Sequence, residues 1–138
     1  MAFTDATVVD KVLWSDEAKF HISGSVNRHN CVYWRESMPE QTVDLPLNSP
    51  GIMVWMGLTA SGIVGPVFLE ERVTGVLYLA KILNETVFPY LEENDRDEEL
   101  IFQQDGAPPH YENVVRSALN EKLPGRWMRR RGSIEWPA

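Results

Sequence analysis

Two aspartates, Asp16 and Asp105, each follow a short apolar segment that is typical of a central β-strand. The segments that precede them are Val12–Ser15 and Leu100–Gln104. If these strands are parallel neighbours, their backbones lie about 4.8 Å apart, so both carboxylates can reach a common ion. An unpaired carboxylate at the centre of a sheet is costly, and Mg²⁺ and Mn²⁺ prefer carboxylate oxygens as ligands. The pair therefore predicts a divalent metal site.

The same aspartates also have ordinary structural interpretations. Asp105 and Gly106 form a common turn pair, and Asp16 can cap a turn or pair with Lys19. Glu17 is adjacent to Asp16, and neighbouring side chains of a strand point to opposite faces. We therefore expect Glu17 to be a poor second ligand.

Length and composition indicate a single domain spanning residues 1–138. The N-terminus has no signal-peptide pattern, and the longest apolar run, Ile52–Leu58, is far shorter than the roughly 18–20 residues of a membrane span. Cys31 is the sole cysteine, which excludes an internal disulfide and fits an intracellular protein. Its spacing from His21 and His29 fits no standard zinc pair, and a fourth ligand is lacking.

The charge of the chain is unevenly distributed. The net charge is −7, which by itself argues against a nucleic-acid partner. Residues 1–111 carry a balance of −10 and residues 112–138 one of +3. The excess positive charge is concentrated in four arginines: Arg126, Arg129, Arg130 and Arg131. They are candidates for phosphate contacts with DNA, or they solvate a loop and neutralise the acidic run Glu92–Glu99.

The apolar pattern predicts strands at the start of the chain and helices between the later strands. After the strand from Val12, two strands over Ile52–Leu58 and Ile63–Leu69 form an antiparallel pair joined by Thr59–Gly62. Helical periodicity begins at Thr74, a candidate N-cap, and Pro89 should kink or end that helix. A strand from Leu100, a helix over Glu112–Leu123 and a short strand over Ser133–Trp136 follow. This order predicts an α/β fold with a mixed sheet and helices on both faces.

Five segments together resemble the catalytic domain of Tc/mariner-superfamily transposases. They occur in that family's order and at about its spacing, over nearly the whole chain from Val12 to Ala138. The segment around Asp105 is the most specific and the Trp136-Pro137 ending is the next. The five segments are Ser15–Phe20, Asn27–Asn30 with Trp34, Met53–Gly57, Phe102–His110 and Gly132–Pro137.

The resemblance implies a ribonuclease H-like fold in which three carboxylates hold two divalent ions, Mg²⁺ or Mn²⁺. Asp16 matches the first carboxylate and Asp105 the second, and these two are the expected catalytic and metal-binding residues. The family's third acid lies on a helix past the Trp-Pro element, and its helix-turn-helix region precedes the catalytic domain. Neither is expected within this chain. Glu135 precedes Trp136-Pro137 and is a poor substitute for the third acid.

The implied activity is cleavage and transfer of DNA strands, with transposon ends and a TA target as DNA partners, in a nuclear or otherwise intracellular setting. His110 matches a family histidine, so it is either an auxiliary residue near the metals or DNA, or a cap of the following helix. A homodimer is possible, and neither a membrane nor a small-molecule substrate is expected. Lacking the third acid, the chain is expected to be inactive alone. The alternatives are a non-catalytic nucleic-acid-binding or interaction module derived from a transposase, and a relic without a role.

Overall fold

The computed structural model describes residues 6–23 and 50–129, and the backbone of residues 134 and 135. The strands are β1 (Val12–His21), β2 (Gly51–Thr59), β3 (Gly62–Leu69), β4 (Ile101–Gln103), β5 (Trp127–Arg129) and β6 (Ile134–Glu135). The α-helices are α1 (Ala6–Val9), α2 (Gly75–Leu77), α3 (Phe88–Asn94) and α4 (Asn113–Lys122). A π-helical segment, Tyr78–Val87, joins α2 to α3, and Pro108–Tyr111 forms a 3-10 turn before α4.

The six strands form one mixed sheet in the order β3-β2-β1-β4-β5-β6. β2 pairs antiparallel with both β1 and β3. The pairs β1–β4, β4–β5 and β5–β6 are parallel. The predicted mixed sheet is thereby confirmed, as is the parallel pairing of the strands that precede Asp16 and Asp105. The sequence pattern did not predict β5, which is only three residues long.

The core lies on one face of this sheet. Alternation along β1 and β2 turns Leu13 and Trp55 towards this face, where both are fully buried. The helical residues 75–94 and 113–123 contribute to the same apolar cluster, for example through Ile82 and Leu119. The opposite face over β1–β3 is apolar but open to solvent.

Local sequence signals explain where the helices begin and end. Thr74 caps α2, because its Oγ1 accepts a hydrogen bond from the backbone N–H of Leu77 at 3.2 Å. Pro89 does not end the helix as one of the two expectations had it; it lies in the first turn of α3, and the chain stays helical to Asn94. Gly125, with φ of +70°, turns the chain from α4 into β5.

Some predicted features fall outside the residues that the structure describes. These are the segment around Trp34, the side chains of Arg129 and Glu135, and the residues Arg130 and Arg131. Within the described part of the chain, no helix is long and apolar enough to cross a membrane.

Candidate metal centre

The functional candidates meet where β1 passes the carboxyl end of β4. Val12 pairs with Ile101 and Leu13 with Phe102, so the two strands advance in step. Ser15 forms two further hydrogen bonds between these strands. Its backbone N–H donates to Gln103 Oε1 at 2.9 Å, and its hydroxyl donates to the carbonyl of Gln103. Because Ser15 and Gln103 are both buried, this connection fixes the position of Asp16 relative to Asp105.

Asp16 and Glu17 point to opposite faces of β1, as strand alternation requires. Asp16 is exposed, and one of its carboxylate oxygens accepts a hydrogen bond from the backbone N–H of Glu17 at 2.9 Å. Glu17 points to the core face, where its side chain is only 12% exposed. The Asp105 loop packs against this face.

Glu17, Asp105 and His110 form the acidic cluster of the described residues, with one potential ligand atom from each lying within 4.8 Å of the others. His110 lies between the two carboxylates. Its Nε2 is 3.0 Å from Glu17 Oε1, and its Nδ1 is 2.8 Å from Asp105 Oδ1. Strand alternation predicted that Glu17 would be a poor ligand, but the geometry favours the opposite. Glu17 rather than Asp16 belongs to this group.

The segment after β4 folds back so that His110 returns to Asp105. Asp105 Oδ1 accepts a hydrogen bond from the backbone N–H of Ala107 at 2.9 Å, an arrangement typical of aspartate in turns. The 3-10 turn then begins at Pro108, and the N–H of His110 donates to the carbonyl of Ala107 at 3.0 Å. His110 is therefore an integral part of the cluster and only 2% exposed.

The electrostatics of the cluster favour a charged imidazole. Burial lowers the pKa of His110, but its hydrogen bonds to Asp105 and Glu17 outweigh this and raise the pKa to about 9. The hydrogen bond from His110 in turn holds the pKa of Asp105 below its ordinary value, although partial burial opposes the shift. At neutral pH His110 is therefore an imidazolium, held between Glu17 and Asp105.

Buried polar groups behind the cluster hold His110 in place. The ring of Tyr78 lies 4.3 Å from the imidazole, centroid to centroid. The Tyr78 hydroxyl donates to Gln104 Oε1 at 3.1 Å, and Gln104 Nε2 approaches the carbonyl of His110 at 3.5 Å. Burial and the nearby charges of Glu17 and Asp105 raise the pKa of Tyr78 well above its ordinary value, so its hydroxyl stays protonated.

Two surface depressions meet at Asp105. One is a cavity of about 530 Å³ on the core-side face that contains Glu17 and His110. The other is an open groove on the opposite face, lined by Asp16, Gln103 and Met56. Asp105 and Glu17 line both depressions, whereas Asp16 lines the open groove.

The donor set fits a hard divalent cation. Glu17 and Asp105 lie within one cluster, and Asp16 lines a groove with both of them. Their carboxylates offer oxygen ligands of the type that Mg²⁺ and Mn²⁺ prefer. His110 can serve as a ligand only after losing the proton that bridges it to a carboxylate.

Of the four arginines predicted to contact DNA, Arg126 has a different role in the structure. Its Nη1 lies 2.9 Å from Asp95 Oδ2 and donates to the carbonyl of Leu100 at 3.2 Å. This ion pair joins the end of α3 to the segment before β5, which matches the alternative that Arg126 neutralises the run Glu92–Glu99. A guanidinium committed in this way is poorly placed to bind phosphate.

No protein-family model matches this sequence, and no curated protein matches it either. Solved structures of Mos1 mariner transposase are similar in fold. The paired-end complex with the left transposon end has a TM-score of 0.59 at 22% identity, and the similarity covers 90% of this chain and 36% of that one. The Mos1 strand transfer complex gives 0.58 at 23% identity, covering 89% and 35%. The Mos1 catalytic domain with raltegravir and Mg gives 0.56 at 18% identity, covering 84% and 48%.

This similarity establishes the fold. In this sheet the pairs β1–β2 and β2–β3 are antiparallel, and the pairs β1–β4, β4–β5 and β5–β6 are parallel. The sheet has the ribonuclease H-like arrangement of the Mos1 catalytic domain, as the sequence motifs predicted. The chain spans about a third of the length of the Mos1 chains in the DNA complexes and about half of the catalytic domain.

Proposed function

We propose that this chain is a core of the Tc/mariner transposase type, whose family acts on DNA phosphodiesters with divalent metal ions, and that Asp16 and Asp105 are its metal ligands. What supports the proposal is one coincidence. Asp16 lies on β1 and Asp105 follows β4, its parallel neighbour in the sheet, and both residues line one groove together with Glu17. The DNA partners would be transposon ends and a TA target, with action in the nucleus or elsewhere inside the cell.

Asp16, Asp105 and Glu17 are the side chains that would hold the metal ions. Bound Mg²⁺ or Mn²⁺ would activate the attacking oxygen and stabilise the leaving oxygen of the phosphodiester. The contribution of the chain is to fix anionic oxygens before substrate arrives, through the strand pairing, the connection between Ser15 and Gln103, and the turn at Asp105. His110 would hold Glu17 and Asp105 at a fixed separation by donating to both.

We expect metal binding by this chain to be weak. The described residues offer three carboxylates, two of which are already hydrogen-bonded to the imidazolium of His110. A divalent ion must therefore displace a proton or a hydrogen bond to engage Glu17 and Asp105 fully. For the same reason we expect no nicking at a transposon end by the isolated chain.

Titration with Mn²⁺, followed by calorimetry and by loss of the electron paramagnetic resonance signal of free Mn²⁺, tests the site. Asp105→Asn should abolish binding, because Asp105 lines both depressions. Asp16→Asn and Glu17→Gln compare the two faces of β1. Glu85→Gln is the matched control, since Glu85 is an exposed carboxylate paired with Lys81 on a helix. Unchanged Mn²⁺ binding by Asp105→Asn would contradict the proposal.

A second candidate is a non-catalytic interaction module derived from such a transposase. The observation that favours it is the open apolar face of β1–β3, on which large side chains are 55–63% exposed: Phe20, Leu58, Ile63 and Phe68. An interaction module should behave the same with and without Mn²⁺. It should also tolerate Asp105→Asn while losing self-association or partner binding after Phe68→Ser.

A further inference from the structure

Two basic side chains, Lys19 and Arg72, line the same cavity as the acidic cluster. Neither is among the arginines that the sequence singled out for DNA. The cavity measures about 530 Å³, within the roughly 300–1,000 Å³ range of sites that enclose small organic groups such as a nucleotide. Its wall therefore brings positive charge next to the carboxylates at the proposed metal site.

The sheet explains why these two residues share one wall. Lys19 follows Glu17 by two positions, so it points to the same face of β1 at a distance of about 7 Å along the strand. Lys19 pairs across the sheet with Met53, and Met53 pairs with Leu69 at the end of β3. The chain leaves β3 at this point, and Arg72, three residues further on, lines the same cavity.

Neither cation forms an ion pair with another residue of the described part of the chain. By contrast, Lys11, Lys81 and Arg126 each pair with a carboxylate there. Lys19 and Arg72 are also exposed. Glu17, two positions before Lys19, pairs with His110 at 3.0 Å.

We propose that Lys19 and Arg72 bind the phosphates of the DNA strand whose scissile phosphodiester lies at Asp105. The inference rests on the proposed function and adds to it the residues that position the substrate. A polyanion that approaches Glu17, Asp105, Glu70 and Glu71 is repelled, and cations lining the same cavity offset part of that repulsion. Lys19 lies on β1 and Arg72 in the segment after β3, so the two cations reach the cavity from different elements.

The test measures how the affinity of the full chain for a single-stranded oligonucleotide depends on salt concentration. Binding is monitored by fluorescence anisotropy in the presence of EDTA. Each phosphate contact releases counterions and contributes roughly 0.7 to the slope of log affinity against log salt for single strands. The double variant Lys19→Gln/Arg72→Gln should therefore lower that slope by roughly 1.4. Lys81→Gln, which removes a cation already paired on an exposed helix, should leave the slope unchanged.

Two further variants separate contact from folding. Lys19→Arg/Arg72→Lys keeps both charges and should retain the slope, whereas Glu70→Gln/Glu71→Gln should raise the affinity by removing repulsion. An unaltered slope in Lys19→Gln/Arg72→Gln would overturn the inference, as would a lack of wild-type binding at low salt. Failure of the proposed function would look different. Mn²⁺ binding depends on Asp105 and should be unaffected by Lys19→Gln/Arg72→Gln. Loss of Mn²⁺ binding and loss of oligonucleotide binding are therefore measured separately.

Discussion

The Asp95–Arg126 ion pair and the Glu17–Asp105–His110 cluster are both built from partly or fully buried charges, but they are balanced differently. Asp95 is 6% exposed, and its carboxylate accepts hydrogen bonds from the backbone N–H groups of Glu99 and Leu100 as well as the Arg126 guanidinium. One anion meets one cation, and every strong acceptor has a donor. The pair joins two segments, and the depression beside it is lined by the cations Arg96 and Lys122 as well as by Glu92 and Glu98.

The Glu17–Asp105–His110 cluster, in contrast, has two carboxylates for one imidazolium and opens onto a cavity. Asp105 is 47% exposed, so part of its oxygen surface is available to another group. A balanced pair is complete within the protein, whereas an excess of anionic oxygens beside a cavity has capacity for a cation. This difference in balance, rather than the presence of buried charge, separates the structural pair from the candidate site.

Removing Arg126 should have the largest effect on stability. Arg126→Ala leaves the buried Asp95 carboxylate without its cation, and breaking such a pair costs roughly 3 kcal/mol in the free energy of unfolding. Urea denaturation measures this loss, with Arg96→Ala as an exposed control. Mn²⁺ should not restore the stability of Arg126→Ala. A cost below about 1 kcal/mol, typical of surface pairs, would show that the pair is not structural.

Removing His110 should destabilise less, and the loss should respond to metal. His110→Gln takes away the cation between Glu17 and Asp105, at an expected cost of roughly 2 kcal/mol, within the range for a lost charged hydrogen bond. The freed carboxylates should bind Mn²⁺ more tightly than the wild type does. Thermal unfolding with and without Mn²⁺ measures both effects. Equal metal stabilisation of His110→Gln and Arg126→Ala would contradict the distinction between the two regions.

The pH dependence of stability should carry the signature of His110. Its pKa is raised from an ordinary value of 6.5 to about 9, so the protonated imidazole stabilises the fold fully below about pH 6.5. That contribution should disappear as the pH rises from about 6.5 through 9. The lowered pKa of Asp105 acts in the other direction: its contribution is present above the ordinary value of 3.8 and is lost as the pH falls below it. Subtracting the urea-derived profile of His110→Gln from that of the wild type isolates the alkaline loss.

The smallest effect is expected at the support behind the cluster. Tyr78→Phe removes the hydrogen bond from the Tyr78 hydroxyl to Gln104 and keeps the ring against His110, at a cost of about 1 kcal/mol. Mn²⁺ affinity should change by less than in His110→Gln, because the carboxylates keep their positions. A loss of Mn²⁺ binding as large as that of Asp105→Asn would mean that Tyr78 belongs to the site itself.

Local patterns in the sequence determined most of the elements, though not β5, and two of the candidate residues. The apolar segments before Asp16 and Asp105, the hairpin at Thr59–Gly62 and the cap at Thr74 depend on neighbouring residues, and each was predicted correctly. The family motifs added the ribonuclease H-like sheet. The parallel pairing of β1 with β4 followed from these elements because an intervening helical crossover favours it.

Only the tertiary structure decided which charged groups meet. Strand alternation separates Asp16 from Glu17, but which of them faces Asp105 most closely depends on how the turn from Ala107 to His110 folds back. Arg126 finds Asp95 across 31 positions, and no local pattern indicates that this arginine of the cluster is internal. A long charged side chain can rotate towards several partners. Which partner it meets therefore depends on how distant segments of the chain pack. The sequence alone cannot supply that packing.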